Sequence, residues 1–541
     1  MSGDSLDAET HQVPANAAAA ARVAGIPTRA LRLLHRAEQW MARGELDIAS
    51  RTLSEAISLS PGHPEPMRLL AVVRHGQKRY PESIALLRDA LARRPNDALI
   101  HNNLGSAYGE SGDLDAAAAS FHRATELAPH LAAAWFNLGH TCDRLSRKHD
   151  AERAYARTLA LDPSHVPARI ARAGTLTVLG DLDESAAEFR EALRRQPDAV
   201  SAWSGLAGLK STRLDEAEIA RLGELYRSGD LDINSRIVLG FAYGQALQAL
   251  ERYADAFPVF VEANAARCAQ LPWNILGLGT IVDDIAGAFA EPVRSASDPA
   301  LGSEAIFLIG MPRSGSTLAE QILCAHAEVE GVGESGDLPA VILEESSRRG
   351  VDFPHWVADT DAEGWQRLGK AYLDRAAARR GSRAHFTDKT LPNWQLVGAA
   401  HAMLPGARFI DCRRDPLETC WSGFTHLFSA PQPFTYAFDR LAAYWRDYDR
   451  LMQAWHVRYP GLVYRHEHES LLDDPDASIR RLLEAAGLHF DPSCLAFHRV
   501  ERPVHTSSAS QVRQPIQRGS AYGLRYGPLL DPLRDALNAK A

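Results

Sequence analysis

No run of eighteen apolar residues occurs in the 541-residue chain, so nothing in it reads as a membrane-spanning helix. Cysteine is scarce. The six, at 142, 268, 324, 412, 420 and 494, form no C-x-x-C pair, which excludes a disulfide framework or a cysteine zinc site and leaves them as small buried or half-buried residues. Long runs of like charge are also missing. With 59 basic residues against 68 acidic ones and a formal charge of −9, the chain lacks the electrostatic footprint of a nucleic-acid binder. The N-terminal stretch "MSGDSLDAETHQVPANAAAAARVAG" has neither the basic segment nor the apolar core of a secretory signal. It predicts a cytoplasmic protein whose residues 1–29 are poorly ordered.

What is present is a globular composition, 45% apolar and 23% charged, on a length that calls for several domains or a repeat array plus a domain. Prolines 61, 95, 129, 163 and 197 recur every 34 residues. Residues 98–131 carry His101, Leu104, Gly105, Tyr108, Ala117, Phe121 and Pro129, and the next stretch carries Trp135, Leu138, Gly139, Ala151, Tyr155 and Pro163. This pattern resembles the tetratricopeptide repeat, a helical hairpin in which small residues let two helices approach and a proline follows the second. Weaker units flank these, through Leu33, Ala37 and Trp40 before and Ala173, Phe189 and Ala192 after. A sixth unit begins at Trp203 and Leu206 and decays; a divergent seventh spans about residues 237–270 through Gly244, Ala256, Phe260 and Ala263. Such arrays form grooves that hold peptides, but they also serve only to scaffold or dimerise, and the sequence leaves both open.

Residues 286–303 read as a linker. Beyond them short apolar runs at 305–310, 408–412 and 462–465 alternate with amphipathic helices at 391–404 and 477–487, the signature of a parallel sheet covered by helices. The expected architecture is therefore multidomain: an all-α repeat solenoid over 30–270, a connecting helix or linker over 271–303, and an α/β domain with a central parallel sheet over 304–541.

The α/β part opens with "EAIFLIGMPRSGSTLAEQIL". Gly310 to Thr317 nearly spell the phosphate loop G-x-x-x-x-G-K-[ST], with Ser316 where the lysine should stand. A strand, a turn at Gly315 and a helix from about Ser316 line up backbone N–H groups that bind phosphate or sulfate whatever the side chains are. Arg313, inside the turn, offers a planar fork suited to anionic oxygens. Asp411, in "FIDCRRD", is the one candidate for holding magnesium, and without the lysine it makes nucleotide hydrolysis a poor fit. In the same segment Arg414 ends a strand and Ser422 sits about two turns into the next helix, so both can converge on one anion. The bland reading of Arg414 is an ion pair with Asp415 or Glu418.

"FLIGMPRSGSTL" followed by "RFIDCRRDPLETCWSGF" resembles the two signatures of sulfotransferases that use 3'-phosphoadenosine 5'-phosphosulfate (PAPS). Over about residues 304–530 the chain is similar to tyrosylprotein sulfotransferases and to bacterial proteins that join tetratricopeptide repeats to such a domain. The resemblance implies that backbone N–H groups of Ser314, Gly315, Ser316, Thr317 and Leu318 hold the 5'-phosphate, and that Arg414 and Ser422 grip the 3'-phosphate. Arg313, Lys389 and Ser508 are implied to steady the sulfuryl and leaving oxygens. The base of the tyrosylprotein enzymes follows the loop arginine by twenty-one residues, which counts to Glu334. A carboxylate there takes the acceptor hydroxyl's proton, and Lys389 stabilises the departing nucleotide without a metal. The bland readings are a capping or surface carboxylate for Glu334, with Asp337 its nearest rival, and a solvated lysine for Lys389.

The sequence departs from the family twice. In "SASQVRQPI" the family lysine is Gln514, with Arg513 beside it as a substitute, and in "YRHEHESLLDDP" the family tyrosine is His468. His466 and His468 share one face if this segment is a strand, which admits a metal pair but supplies no further ligands. The implied partner is an acceptor hydroxyl, with a peptide tyrosine favoured and a saccharide, lipid or small molecule open. Two other readings stay open: a kinase or NTPase with a degenerate loop, and a non-catalytic repeat adaptor.

Overall fold

The 34-residue rhythm of small residues and prolines becomes a row of helical hairpins. The computed structural model describes residues 21–209, 213–500, 512, 514–516 and 521–539. These residues fall into two compact units, one up to Leu176 and one from Thr177 onward.

In the first unit Ala98–Ser111 pairs with Leu114–Leu127, and Ala132–Arg144 with Lys148–Leu161. Second helices end at Leu59, Arg93, Leu127 and Leu161, each just ahead of one of the periodic prolines. The glycines are required by contact: a Cβ on Gly105 would lie 2.8 Å from the Phe121 ring, and one on Gly139 2.8 Å from the Tyr155 ring. A glycine at these crossings lets a ring of the second helix lie against the backbone of the first.

The second unit starts with further helices of the same kind and then changes to alternating strands and helices. Its sixth repeat does decay, having a first helix of only nine residues, Val200–Gly208. The seventh returns as Ile233–Ala249 and Tyr253–Gln270, where a Cβ on Gly244 would lie 2.7 Å from the Phe260 ring. The stretch read as a linker begins with a helix, Ile275–Ala288.

Five strands follow: β1 Ala305–Gly310, β2 Val329–Gly333, β3 His385–Asp388, β4 Arg408–Arg413 and β5 Val463–Glu467. They pair in the order β2-β3-β1-β4-β5, all in parallel. The central strand, "AIFLIG", is buried along its whole length, as expected of a strand covered on both faces. One face packs Ile306, Leu308 and Ile410 on Ala319, Ile322 and Leu482. On the other, Phe307 stacks on Phe409 with centroids 5.2 Å apart. The strand order turns about β1, and such a sheet leaves a crevice at the carboxyl ends of its strands.

The sequence reading missed β2. Its segment "VEGVG" is short, glycine-rich and mostly half-exposed because β2 is an edge strand, so it shows no apolar run. The predicted 391–404 helix is split into a 3-10 turn, Leu391–Leu396, and an α-helix, Val397–Met403.

Candidate functional site

Arg313, Glu334, Lys389 and Arg414 each follow the carboxyl end of a strand. β1 is followed by the turn containing Arg313, Ser314 and Gly315, and the helix Ser316–Cys324 begins where the sequence suggests. The turn is built on unusual backbone. Gly310 has φ 141° and its missing Cβ would meet Cys412 O at 2.6 Å, so β1 and β4 approach as closely as a glycine allows. Gly315 has φ 96°, and a Cβ there would come within 2.9 Å of His468 Nδ1. Arg313 itself has φ 72°, a left-handed conformation that costs a non-glycine residue on the order of 1 kcal/mol and that clusters at functional sites.

Arg313 Nε donates to Ser422 Oγ at 3.1 Å, joining the loop to the helix Pro416–Phe424 that follows β4. Desolvation and the nearby Arg414 charge lower the Arg313 guanidinium to about 10, still protonated at neutral pH. Two mutually repelling guanidiniums in one crevice favour an anion between them. Arg414 makes the local ion pair weighed against its functional role: Nη2 lies 3.0 Å from Glu418 Oε2. Glu418 Oε1 in turn accepts from the Gly523 N–H at 2.6 Å. Asp415 caps the same helix, accepting from the Glu418 N–H at 3.0 Å. Ser314 Oγ is buried without a hydrogen-bond partner among the described residues. In the same turn Leu318 donates its N–H to Gly315 O at 3.0 Å.

Glu334 and Lys389, from the ends of β2 and β3, meet: Lys389 Nζ lies 3.0 Å from Glu334 Oε1. The backbone holds them together, since the Lys389 N–H donates to Gly333 O at 2.8 Å. Beside them the buried Asp388 accepts from Tyr372 OH and Ser335 Oγ, both at 3.0 Å, and from the Thr390 N–H at 2.9 Å. Burial raises the Asp388 carboxyl above its ordinary value, and these bonds oppose the shift. This support is absent from the sequence reading, and its only linear signal is an aspartate directly before the lysine in "TDK". Asp337, the rival base, is buried and paired with Arg379 Nε at 2.9 Å.

Asp411, the magnesium candidate, is fully buried, accepts from Tyr448 OH and pairs with Arg413 Nε at 2.7 Å. Its two oxygens serve the packing of β4. His466 and His468 correct the sequence picture: β5 stops at Glu467 and His468 opens the helix His468–Asp473, so the two do not share a strand face. Among the described residues no three His, Cys, Asp or Glu side chains cluster to hold a metal. Burial and Arg481 lower His466 to about 4; burial, Arg414 and His466 do the same to His468. Ser508 and Arg513 lie outside the described residues. Val512 is described, and it is buried against Leu318. A cavity of about 300 Å³ opens past the phosphate loop, lined among others by Met311, Ser314, Arg414, Trp445 and Tyr448.

A parallel sheet with a glycine-cornered turn and a helix N-terminus after its central strand, and cationic side chains at neighbouring strand ends, is the arrangement of a phosphate-loop α/β domain. Residues 305–492 match the model of the sulfotransferase family, and tetratricopeptide repeat models match 41–105, 102–166, 143–200 and 170–220. The chain carries a sulfotransferase-family domain behind tetratricopeptide repeats. An uncharacterized protein of Aquifex aeolicus (strain VF5) is 27% identical over 389 residues, 69% of this chain and 50% of that protein. The chain thus spans about half the length of that relative. A Caenorhabditis briggsae protein named "Putative protein-tyrosine sulfotransferase" is 25% identical over 219 residues, 39% of this chain and 77% of that one. Among solved structures, MamA is 22% identical with a TM-score of 0.28, covering 30% of this chain and 94% of its own.

Proposed function

We propose that this chain is a PAPS-dependent sulfotransferase that moves a sulfuryl group onto an acceptor hydroxyl, with a peptide tyrosine the favoured acceptor. The observation that carries the reading is the meeting of Arg313 with Ser422 at 3.1 Å, in the crevice where Lys389 and Glu334 also meet at 3.0 Å. A donor with anionic groups at two points needs two gripping sites beside a base, and these are the residues that supply them.

The residues present fit such a donor. Ser314 Oγ is a buried hydroxyl with no protein partner among those described, the loop's backbone N–H groups begin a helix, and Arg313 and Arg414 repel each other. Bound there, PAPS supplies an activated sulfuryl group. Glu334 takes the proton of the acceptor hydroxyl as the new S–O bond forms. Lys389 places its ammonium at the phosphate oxygen that leaves as the old S–O bond breaks, replacing the charge stabilisation that a metal gives phosphoryl transfer. Arg313 and Ser508 orient the sulfuryl oxygens, and Arg414 and Ser422 hold the 3'-phosphate, Arg414 exchanging Glu418 for it. Backbone N–H groups from Ser314 to Leu318 receive the 5'-phosphate, and Arg513 stands in for the family lysine. The repeats over 30–270 present the acceptor or a partner, and the domain over 304–541 acts on it. We place the reaction in the cytoplasm; no helix among the described residues is long and apolar enough to cross a membrane.

The test is a thermal-shift titration with 3',5'-adenosine bisphosphate against ATP, on wild type and on Arg414→Ala. The bisphosphate is expected to stabilise the wild type, with a weaker response in the variant. Stabilisation by magnesium-ATP alone, or an undiminished response in Arg414→Ala, overturns the reading.

A further inference from the structure

The segments that leave Glu334 and Lys389 form the walls of a single groove. The helix Asp337–Arg349 contributes Pro339, Ile342, Leu343 and Ser346, the spacing of one helical face. The 3-10 turn after Lys389 contributes Pro392 and Leu396, and the helix Ile275–Ala288 closes the far side with Ile281. The groove holds about 530 Å³, within the range of sites for small molecules and side chains. Its longest wall starts in the first helical turn beyond Glu334 and runs for about 10 Å, at 1.5 Å per residue.

Two features of the lining specify a ligand. Leu343 is 66% exposed and Ile281 46%, so large apolar side chains from two separate helices face one open space. Apolar surface gathered in this way marks a binding site more often than a solvated face. The ionisable residues of the lining are Asp284, Asp352 and His355, the last with its Nε2 3.9 Å from Asp284 Oδ2, and among the described residues no lysine or arginine joins them. A wall with two carboxylates and no fixed cation repels a sulfated or carboxylated molecule.

We propose that this groove seats the body of the acceptor, and that the acceptor is an uncharged molecule whose hydroxyl stands on an aryl or alkyl frame. A tyrosine in a neutral apolar segment meets this description; an acidic peptide or an anionic saccharide does not. The proposal rests on the reading of Glu334 and Lys389 as the transfer site: the segments that follow them are joined by the Gly336 N–H donating to Thr390 Oγ1 at 3.2 Å and go on to form two of the groove's walls, which is what makes its occupant an acceptor.

The test is equilibrium binding of 2-naphthol, followed by its fluorescence, to the full chain saturated with 3',5'-adenosine bisphosphate. Leu343→Glu and Ile281→Glu are the variants, both at exposed positions where the fold tolerates a charge. Saturable binding to wild type is expected, about tenfold weaker in each variant, with bisphosphate affinity equal in all three. Binding of 6-hydroxy-2-naphthoate, the same ring system with a carboxylate, is expected to be about tenfold weaker than that of 2-naphthol. If wild type binds the bisphosphate but not 2-naphthol, or the variants bind it equally well, or the naphthoate binds more tightly, the groove assignment is wrong and the sulfotransferase reading stands. Failure of wild type to bind the bisphosphate is a separate result that overturns that reading, and this assignment with it.

Discussion

Lys389 and Glu334 form an asymmetric pair: their charged atoms are 3.0 Å apart, yet the lysine side chain is 2% exposed and the glutamate 62%. A buried ammonium is costly without a partner, whereas an exposed carboxylate is not. The pair therefore fixes the lysine more than the glutamate. Glu334 stays open to solvent while Lys389 is held at the inner wall of the crevice by its own backbone bond to Gly333.

Glu334→Gln is expected to lower kcat by about 10²- to 10⁴-fold, the usual contribution of a general base, with the affinity for 3',5'-adenosine bisphosphate changed by less than about threefold. The same glutamine keeps an acceptor for the lysine, so the fold is preserved. Radiolabelled sulfuryl transfer and calorimetric binding on one preparation separate the two effects. A variant with wild-type turnover removes Glu334 from the chemistry and favours a binding-only domain.

Acid should weaken the domain in a window set by two histidines. His466 and His468 are depressed to about 4, chiefly by burial, so the folded chain stays unprotonated there while an unfolded chain takes up protons below about 6.5. The sign follows: this contribution to stability is full above about 6.5 and is lost as pH falls toward about 4, by up to about 1.4 kcal/mol per pH unit for each proton. Urea unfolding at pH 7, 6 and 5 should show the wild type losing stability faster than His466→Gln. Parallel losses in the two proteins contradict the assignment.

The repeats and the strand-turn-helix of the phosphate loop were legible because each is a local pattern: a 34-residue period, and an apolar strand running into a helix with glycine at the corner. β2 was not legible, since an edge strand half open to solvent needs no apolar run. The pairings were illegible for another reason. Arg313 meets Ser422 across 109 residues and Lys389 meets Glu334 across 55, and no linear spacing encodes such a contact. His468 failed in a third way, because the turn from β5 into its helix falls between His466 and His468 and breaks the alternation the reading assumed.

In the first compact unit, Gly139→Ala is expected to destabilise by about 1 kcal/mol or more. The added methyl meets a Tyr155 ring that is 1% exposed, and the cost of overpacking exceeds the helix-propensity gain of alanine over glycine. Gly174→Ala is the control: that position has nothing within 4 Å of a Cβ, so alanine there should stabilise by up to about 1 kcal/mol. Chemical denaturation of both variants checks the contrast, and equal shifts in the same direction refute the packing argument.

The last repeat reaches into the candidate donor site. Asn264 Nδ2 donates to Phe424 O at 2.9 Å and Gln245 Nε2 to Thr425 O at 3.1 Å, so two amides satisfy carbonyls at the end of the helix that carries Ser422. Such carbonyls have no partner within their own helix. Phe257 stacks on Trp421, the residue before Ser422, with centroids 5.8 Å apart. Asn264 is 1% exposed, and its Oδ1 has no partner among the described residues, so its donor end accounts for keeping an amide there. Asn264→Leu keeps the volume and removes the donor, leaving Phe424 O buried without its bond. The end of the helix should loosen and Ser422 should lose its register with Arg313, weakening bisphosphate binding by about three- to tenfold, the size of one lost hydrogen bond. Calorimetry at a temperature where wild type and variant have the same circular dichroism isolates this from unfolding. Unchanged affinity would show that the repeat holds the domain without shaping its site. A loss would mean that the last repeat belongs to the donor site, and that cutting the chain at residue 304 removes part of it.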